Sequence, residues 1–391
     1  MPDGRLYLYG SLDLSGSKDY CSKTLRCFST DDMIAFRDEG VIFRNDAEAS
    51  GFPAHPDTTL YAPDAACKNG KYYLFVCCPG GFEGVAMADS PAGPFGDAVP
   101  IRGADGSGID PAVFIDDDGT AYYFWGQFHL KGGVLSEDMT ELVPGSVRDN
   151  ILTEHEHGFH EGASVRKVGG RYYLVYTDIS RGRATALGYA VSDSPLGPYA
   201  KCGIIIDNTG CDPQTWNDHG SIECLKGQWY VFYHRSSQNG NTCRRVCAEP
   251  IFFDERGMIR EVPQSVNGPQ PPLDARKIID ASAASRLSGG CFVAPDGVKE
   301  YVFCQQASSD RKAWAEYRSL DFGGGVSAVA VRVRGRGRLW ARCEDRALGS
   351  VDFACDDFST VTLPVARVSG VHAFWLLFEG EGVVLDSFSC A

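Results

Sequence analysis

The sequence has no long apolar run and few segments with helical periodicity. No stretch approaches the roughly 18 consecutive apolar residues that a membrane-spanning helix requires, so no membrane partner is predicted. The scarcity of apolar residues at helical spacing argues against a helical bundle. What the chain does have is 391 residues with a hydrophobic content of 43%, enough for a large core in one or two domains.

Basic residues are in the minority in this chain. The 37 Lys and Arg face 51 Asp and Glu, which gives a formal net charge of −14. Nothing in the chain is basic enough to neutralise a phosphate backbone, so nucleic acid is excluded as a partner. An acidic protein suits a neutral ligand, and carboxylates are the usual catalytic groups for a sugar.

The 15 cysteines lack the spacing of a metal site. No CxxC is followed by a second CxxC or by a histidine cluster, which argues against structural zinc. Most of the thiols lie in strand-like apolar runs, where cysteine behaves as a small hydrophobe, and we predict that they are reduced. The first residues lack the regions of a secretory signal, which predicts a cytoplasmic protein and leaves secretion open if the natural N-terminus is longer.

Five short aromatic or apolar segments recur at nearly constant spacing. The last four start 50, 50 and 57 residues apart, and each follows a short apolar run and a glycine turn. Repeats near 50 residues that are built from short strands and tight turns are typical of propeller blades. We therefore predict an all-β protein with a five-bladed β-propeller. The five segments are residues 6–9, 72–75, 122–125, 172–175 and 229–232.

An ionisable residue stands ahead of the glycine turn in each of the last four repeats. These residues are Asp64, Asp110, Glu161 and His219. Because the innermost strands of a propeller converge on its axis, we expect the four side chains to meet in one central cavity. Such a cavity is typical of an active site.

The repeats define the predicted domain boundaries. Residues 1–262 form the predicted propeller, and the proline-rich segment 263–285 is predicted to be an extended linker. From residue 286 to 391 apolar and polar residues alternate, with turn signals about every ten residues. This pattern predicts a β-sandwich of the jelly-roll kind.

Several motifs within residues 5–262 resemble glycoside hydrolase family 43 in content and order. The resemblance implies a five-bladed, inverting glycosidase that releases a terminal pentose, as an α-L-arabinofuranosidase or β-D-xylosidase, from a plant oligosaccharide or polysaccharide. A galactofuranosidase or exo-galactanase and a non-catalytic sugar-binding propeller are the alternatives. The motifs are Leu8-Tyr9-Gly10-Ser11-Leu12-Asp13, Tyr61-Ala62-Pro63-Asp64, Ile109-Asp110-Pro111-Ala112-Val113, Phe159-His160-Glu161-Gly162-Ala163-Ser164, Asn217-Asp218-His219-Gly220-Ser221-Ile222 and Tyr233-His234-Arg235.

The resemblance also implies roles for the carboxylates. Glu161 takes the place of the general acid, with a buried salt-bridge partner as the alternative. Asp110 takes the place of the residue that tunes and orients the acid, with an Asx-type turn before Pro111 as the alternative. The general base is open between Asp3, Asp13 and no base in this chain, because the first aromatic segment has only a few residues ahead of it.

The remaining predicted site residues would contact the sugar. Asp64, Phe82, Phe159 and Trp216 flank the inner strand ends. The resemblance adds His219, with a hydrogen-bonded core histidine as the alternative, and Arg244, with a structural ion pair as the alternative. His219 is also the predicted metal residue, since its family counterpart lies near the axis and holds calcium through water. No cofactor is predicted to be required, and calcium at the axis or in the β-sandwich is an open expectation.

The C-terminal region resembles a family 6 carbohydrate-binding module. The usual ligand-site Trp of that family corresponds to Phe358, and its usual Asn corresponds to Val384. We therefore expect this region to be a structural appendage. We also expect the first blade to lack one strand, and segment 263–285 to run alongside it, because an unpaired inner edge would expose backbone donors and acceptors.

Overall fold

The computed structural model describes residues 1–46, 49–304 and 312–391. Strands are the main secondary structure and helix is scarce, as predicted, with five small antiparallel sheets followed by one large sheet. It divides into two compact units. The first unit comprises Met1–Asp207, Asn217–His234 and Pro250–Val262, and the second comprises Asn208–Trp216, Arg235–Glu249 and Pro263–Ala391.

The five small sheets are the predicted blades, and they follow one another along the chain. Blade one contains β1 (Leu6–Ser11), β2 (Thr24–Thr30), β3 (Arg37–Asp46) and β4 (Ala49–Ser50). Blade two contains β5 (Asp64–Lys68), β6 (Lys71–Cys78), β7 (Phe82–Ala88) and β8 (Val99–Pro100). Blade three contains β9 (Ala112–Ile115), β10 (Ala121–Trp125) and β11 (Lys131–Val134).

Blades four and five complete the series. A one-turn helix, α1 (Glu154–His157), precedes blade four, which contains β12 (Phe159–Val168), β13 (Arg171–Asp178), β14 (Ala186–Ser192) and β15 (Ala200–Asp207). Blade five contains β16 (Ser221–Leu225), β17 (Gln228–Ser237) and β18 (Gly240–Ile251).

The aromatic segments form strands that are buried on both faces. In β6, Leu74 packs into an apolar cluster shared with blade one, whereas Phe75 packs into a cluster shared with blade three. The Phe75 ring lies 5.4 Å from the ring of Tyr123 on β10. Because each sheet is covered on both sides by its neighbours, these strands are nearly continuous apolar runs and do not alternate with polar residues.

The hairpins of the blades bring one end of every inner strand to the same face. Asp64, at the start of β5, pairs with Phe75 near the end of β6, while Lys68 pairs with Lys71 across the turn. Glu161 pairs with Thr177 near the end of β13 in the same way. The face at which the aromatic strands end is therefore the face that carries the predicted catalytic groups.

Blade one differs from the others at its inner edge. The aromatic strand is second in its sheet in blades two to five, but β1 is first, and within the described residues it pairs only with β2. No strand of the described residues lies on the inner side of β1. The sheet nevertheless has four strands, because the two-residue β4 pairs with the outer edge of β3, so the expectation that the first blade is one strand short is wrong in its count.

The large sheet belongs to the second unit and contains β19–β27. Its longest strands carry an apolar face that packs into one core around Phe374, Leu376 and Phe378. A Cβ on Gly337 or Gly380 would overlap the backbone of the partner strand, so only glycine fits there. The strands are β19 (Leu273–Asp274), β20 (Ile279–Asp280), β21 (Arg286–Ser288), β22 (Cys291–Asp296), β23 (Lys299–Cys304), β24 (Ala313–Asp321), β25 (Val326–Cys343), β26 (Arg346–Val368) and β27 (Val371–Cys390).

The segment predicted to be a linker contributes to this sheet. β19 pairs with β24, β20 pairs with β27, and a short 3-10 turn, Ala281–Ala283, follows β20. These two strands therefore belong to the C-terminal sheet and not to blade one as predicted, because Ile279 and Ala281 add apolar side chains to its core. No helix among the described residues is long and apolar enough to cross a membrane.

Candidate active site

Asp110 lies at the head of the third inner strand in a constrained conformation. Its φ is 56°, in the left-handed region, and only 6% of its surface is exposed. A non-glycine residue in this region is uncommon, and such residues concentrate at functional sites. The Asp110 carboxylate is 3.7 Å from Nδ1 of His219, so the structure brings two of the four predicted residues together.

Glu161 lies at an irregularity in β12. The pairing of β12 with β13 shifts register on both sides of Glu161, and the next residue, Gly162, has a φ of +68°. A Cβ on Gly162 would lie 3.1 Å from the His219 ring, so the backbone beside Glu161 packs directly against that imidazole. The bulge therefore sets the direction of the Glu161 side chain, which does not follow the alternation of side chains between the two faces of a regular strand.

Two amide side chains hold the Glu161 carboxyl. Gln127 Nε2 donates to Oε2 at 2.7 Å, and Asn217 Nδ2 lies 3.4 Å from Oε1. Both donors are amides, so hydrogen bonds alone set the direction of the Glu161 carboxyl. We did not predict either residue. The available signal is their position, since Gln127 closely follows an aromatic segment and Asn217 stands two residues before His219.

Asp64 joins two inner strands. Its Oδ1 accepts the N–H of Ala65 at 2.8 Å, and its Oδ2 accepts the N–H of Val113 in β9 at 2.9 Å. Burial raises the pKa of Asp64, while Arg166 and the two N–H groups oppose that shift. Val113 lies three residues after Asp110, so its hydrogen bond to Asp64 also holds the start of the strand next to Asp110.

Arg166 links the inner strands of blades four and five. Its Nε donates to Glu223 at 2.8 Å. Burial disfavours the charge of Arg166, but Glu223 and Asp64 keep its pKa above the usual value. Burial likewise opposes the charge of Glu223, yet Arg166 holds the pKa of this carboxylate below its usual range. The inner strands therefore carry a charge network that sequence analysis missed.

His219 rests on a buried carboxyl. Asp218 is fully buried, and its Oδ1 accepts the backbone N–H groups of His219 and His234 at 2.9 and 3.0 Å. Burial raises the pKa of Asp218 well above its usual value. The Asp218 carboxyl therefore holds the backbone of His219 in place. The His219 ring lies between Gly162 and the Asp110 carboxylate.

The two candidate bases lie at opposite ends of β1. Asp3 precedes the strand, and its carboxylate accepts the Tyr7 hydroxyl at 2.7 Å. Asp13 follows the strand, and its Oδ1 accepts the N–H of Cys21 at 2.9 Å. Since the aromatic strands end at the face that carries Asp64, Asp13 is the candidate on the side of the other carboxylates, and Asp3 is not.

The aromatic predictions divide into exposed and buried rings. Phe82 is 42% exposed and stacks on His55 with ring centroids 3.6 Å apart. Phe159 is fully buried against Tyr176, so its predicted contact with sugar is wrong. Phe128, which directly follows Gln127, is an exposed ring close to this strand: it is 42% exposed, and its ring lies 5.1 Å from the ring of His160, the residue before Glu161.

Trp216 and Arg244 belong to the second compact unit, and their predicted contacts with a sugar stay predictions. Trp216 is 54% exposed, and Arg244 lies in β18.

In the large sheet, Phe358 is stacked on Tyr301 with ring centroids 5.0 Å apart, and the guanidinium of Arg334 lies 5.0 Å from the Phe358 ring.

Replacing Phe159 with alanine tests the corrected assignment. A fully buried phenylalanine leaves a large cavity, so we expect the variant to lose about 3–5 kcal/mol of unfolding free energy. Phe128→Ala, at an exposed ring, is expected to change stability by less than about 0.5 kcal/mol and to raise KM instead. Urea denaturation and steady-state kinetics measure the two effects. A Phe159→Ala protein of unchanged stability with a raised KM would show instead that Phe159 contacts the sugar.

The described residues hold no cluster of acidic, histidine or cysteine side chains that could bind calcium. No three His, Cys, Asp or Glu side chains within residues 1–46, 49–304 and 312–391 are placed to hold one ion. Calcium takes six to eight oxygen ligands, whereas His219 offers an imidazole beside a single carboxylate. An ion near His219 would therefore be held mainly by water.

Comparisons with known proteins agree with this architecture. A xylosidase/arabinosidase from Thermoclostridium stercorarium is 29% identical, with 99% of this chain and 94% of that protein covered. Xylosidase/arabinosidase 43A from Humicola insolens is 31% identical over 66% of this chain and 93% of its own length. A family 43 β-xylosidase/α-arabinofuranosidase from a compost microbial metagenome, solved with xylotriose in a calcium-free form, is 28% identical with a TM-score of 0.57 and covers 66% of this chain and 91% of its own.

The family model for glycosyl hydrolases family 43 matches residues 3–259. This span contains all five blades and every carboxylate described above. The propeller, the inner-strand carboxylates and this match lead to one conclusion: the chain belongs to glycosyl hydrolase family 43.

Proposed function

We propose that this glycosidase removes terminal, non-reducing pentose residues by inversion of the anomeric configuration. α-L-Arabinofuranosides are the preferred substrates and β-D-xylosides come next, in a plant oligosaccharide or polysaccharide such as arabinoxylan. The observation that carries the proposal is Glu161, held by two neutral amides at the strand ends that also carry Asp110 and His219. The relatives named as xylosidase/arabinosidase support the choice of sugar.

Glu161 is the proposed general acid. Its carboxyl donates a proton to the glycosidic oxygen as the bond to the anomeric carbon breaks, so the leaving group departs as a neutral alcohol. Gln127 and Asn217 fix the direction of that carboxyl. Asp110, buried and paired with His219, supplies the nearby negative charge that orients and tunes the acid.

Asp13 is the proposed general base. In an inverting glycosidase, a carboxylate takes a proton from the water that attacks the anomeric carbon from the opposite face. Its distance from the acid should then be about 6.5–9.5 Å, which leaves room for the water. The location of Asp13 at the site end of β1 supports this role over Asp3.

A screen on p-nitrophenyl glycosides tests the proposal. We expect release from the α-L-arabinofuranoside and the β-D-xyloside, with little from hexosides. Proton NMR during early turnover should show the product with its anomeric configuration inverted. A product of retained configuration would contradict the proposed base.

A non-catalytic sugar-binding protein is the second candidate. The missing inner strand of blade one favours it, because that strand position adjoins the site. Calorimetric binding of xylotriose or an arabinoxylan oligosaccharide with no product on prolonged incubation would support this candidate and reject the first.

A further inference from the structure

Glu83 is a buried acid that the proposed mechanism does not use. It is the second residue of β7 and only 5% exposed. Within the described residues, neither carboxyl oxygen makes a hydrogen bond of regular geometry. The Tyr123 hydroxyl, also buried, is the nearby donor that stabilises the charged form, yet it likewise lacks a regular partner. Burying a carboxyl without hydrogen-bond partners costs free energy of folding, so the residues around Glu83 need a physical explanation.

The Glu83 carboxyl lies directly against the loop that leads to Asp110. A Cβ on Gly108 would overlap the carboxyl group, so the Glu83 side chain packs directly against the loop backbone at Gly108. The backbone carbonyl of Glu83 also accepts the N–H of Ile101 at 3.1 Å, before the loop begins. The loop, residues 103–110, therefore rests on Glu83.

Blade three fixes the other side of the 103–110 loop. Lys131 forms an ion pair with Asp105 and donates to the Ser107 hydroxyl at 2.9 Å. Gly126 N–H donates to the carbonyl of Ile109 at 3.1 Å, one residue before Asp110. The loop is held between this set of bonds and the Glu83 carboxyl, and it ends in the left-handed Asp110.

The charged groups around Glu83 oppose its ionisation. Burial is the main cause that raises its pKa to about 8, and Asp105 and Asp110 add to the shift, while Tyr123 and Lys131 act against it. Cys77, the remaining titratable neighbour, is a buried thiol whose own pKa is raised well above the usual value by burial, so it brings no charge. Glu83 is thus a neutral acid at pH 6.

We propose that Glu83 is a positioning residue for the reaction: its neutral carboxyl supports the 103–110 loop and so sets the position of Asp110, and ionisation of Glu83 releases that loop. The ionised form would place a third carboxylate beside Asp105 and Asp110 without a regular hydrogen-bond donor. The loop meets the carboxyl at the backbone of Gly108. The inference concerns catalysis only as far as the proposed function holds.

Glu83→Gln keeps the shape of the side chain but cannot ionise. On an aryl pentoside with a good leaving group, wild-type kcat/KM should fall about tenfold between pH 6 and 9, as expected for one ionisation near pH 8, and the variant should lose much less. Glu255→Gln, an exposed acid of the same unit, is the control and should follow wild type. Superimposable profiles of wild type and Glu83→Gln would overturn the proposal.

Two measurements test Glu83 without turnover. Hydrogen exchange of the 103–110 amides, corrected for intrinsic rates, should show loss of protection in wild type from pH 7 to 9 and none in Glu83→Gln. Because the pKa of Glu83 in the folded protein lies above its ordinary value of 4.5, wild-type stability should fall as pH rises from about 5 to 8. The Tm advantage of Glu83→Gln should grow over that range. A loop whose protection does not change would overturn the proposal, whereas an inactive wild type with this loop response would reject only the proposed function.

Discussion

Glu161→Gln is expected to slow hydrolysis of an unactivated disaccharide at least about 10²-fold, the contribution of a positioned general acid. The oxygen of such a substrate leaves poorly unless it receives a proton as the bond breaks. An aryl glycoside with an acidic phenol needs little protonation, so its rate should fall much less. The glutamine keeps the size of the side chain, and its carbonyl oxygen can still accept a hydrogen bond from one of the two amides, Gln127 or Asn217.

The comparison between the two substrates is the measurement that decides the role of Glu161. Glu156→Gln, at an exposed position on the one-turn helix before β12, is the matched control and should retain wild-type rates on both. Equal losses on the activated and unactivated substrates would remove Glu161 from the role of general acid, and would indicate a part in binding or folding instead.

Asp13→Asn is expected to lower kcat about 10²–10⁴-fold on both kinds of substrate, since the attacking water must be activated whatever the leaving group. Asp3→Asn is the matched control. Asp3 lies at the other end of β1, bonded to Tyr7, and its replacement should leave kcat unchanged.

Added azide gives a further test of the role of Asp13. As a nucleophile that needs no base, it should restore turnover of the aryl glycoside by Asp13→Asn and give a glycosyl azide of inverted configuration. An Asp13→Asn enzyme that keeps wild-type kcat would show that another group activates the water. A wild-type protein that binds sugar without turnover would favour the sugar-binding function.

The blade pattern could be predicted from the sequence because local chemistry sets it. An aromatic strand buried on both faces must be nearly all apolar, and each glycine turn fixes where its hairpin reverses. The spacing of these strands is therefore visible without any tertiary information. Asp64, Asp110, Glu161 and His219 were found for the same reason, since each stands ahead of one turn.

Phe159 shows where local pattern fails. The register shifts around Glu161 break the two-residue alternation, so the side-chain directions near the bulge cannot be read by counting. Phe159 points into the blade core, and an exposed ring next to His160 comes from Phe128 in blade three. Only the packing of adjacent blades decides which aromatic side chain borders the site.

The sequence by itself determined the number of blades, the order of the inner strands and the end at which the carboxylates gather, because these follow from strand burial and hairpin direction. Tertiary structure alone decided that Gln127 and Asn217 hold Glu161, that β19 and β20 join the C-terminal sheet, and that Glu83 lies beneath the loop of Asp110. Glu161, for example, is 34 positions from Gln127 and 56 positions from Asn217 along the chain. Their partners are chosen by packing between sheets, and no local spacing in the chain records that choice.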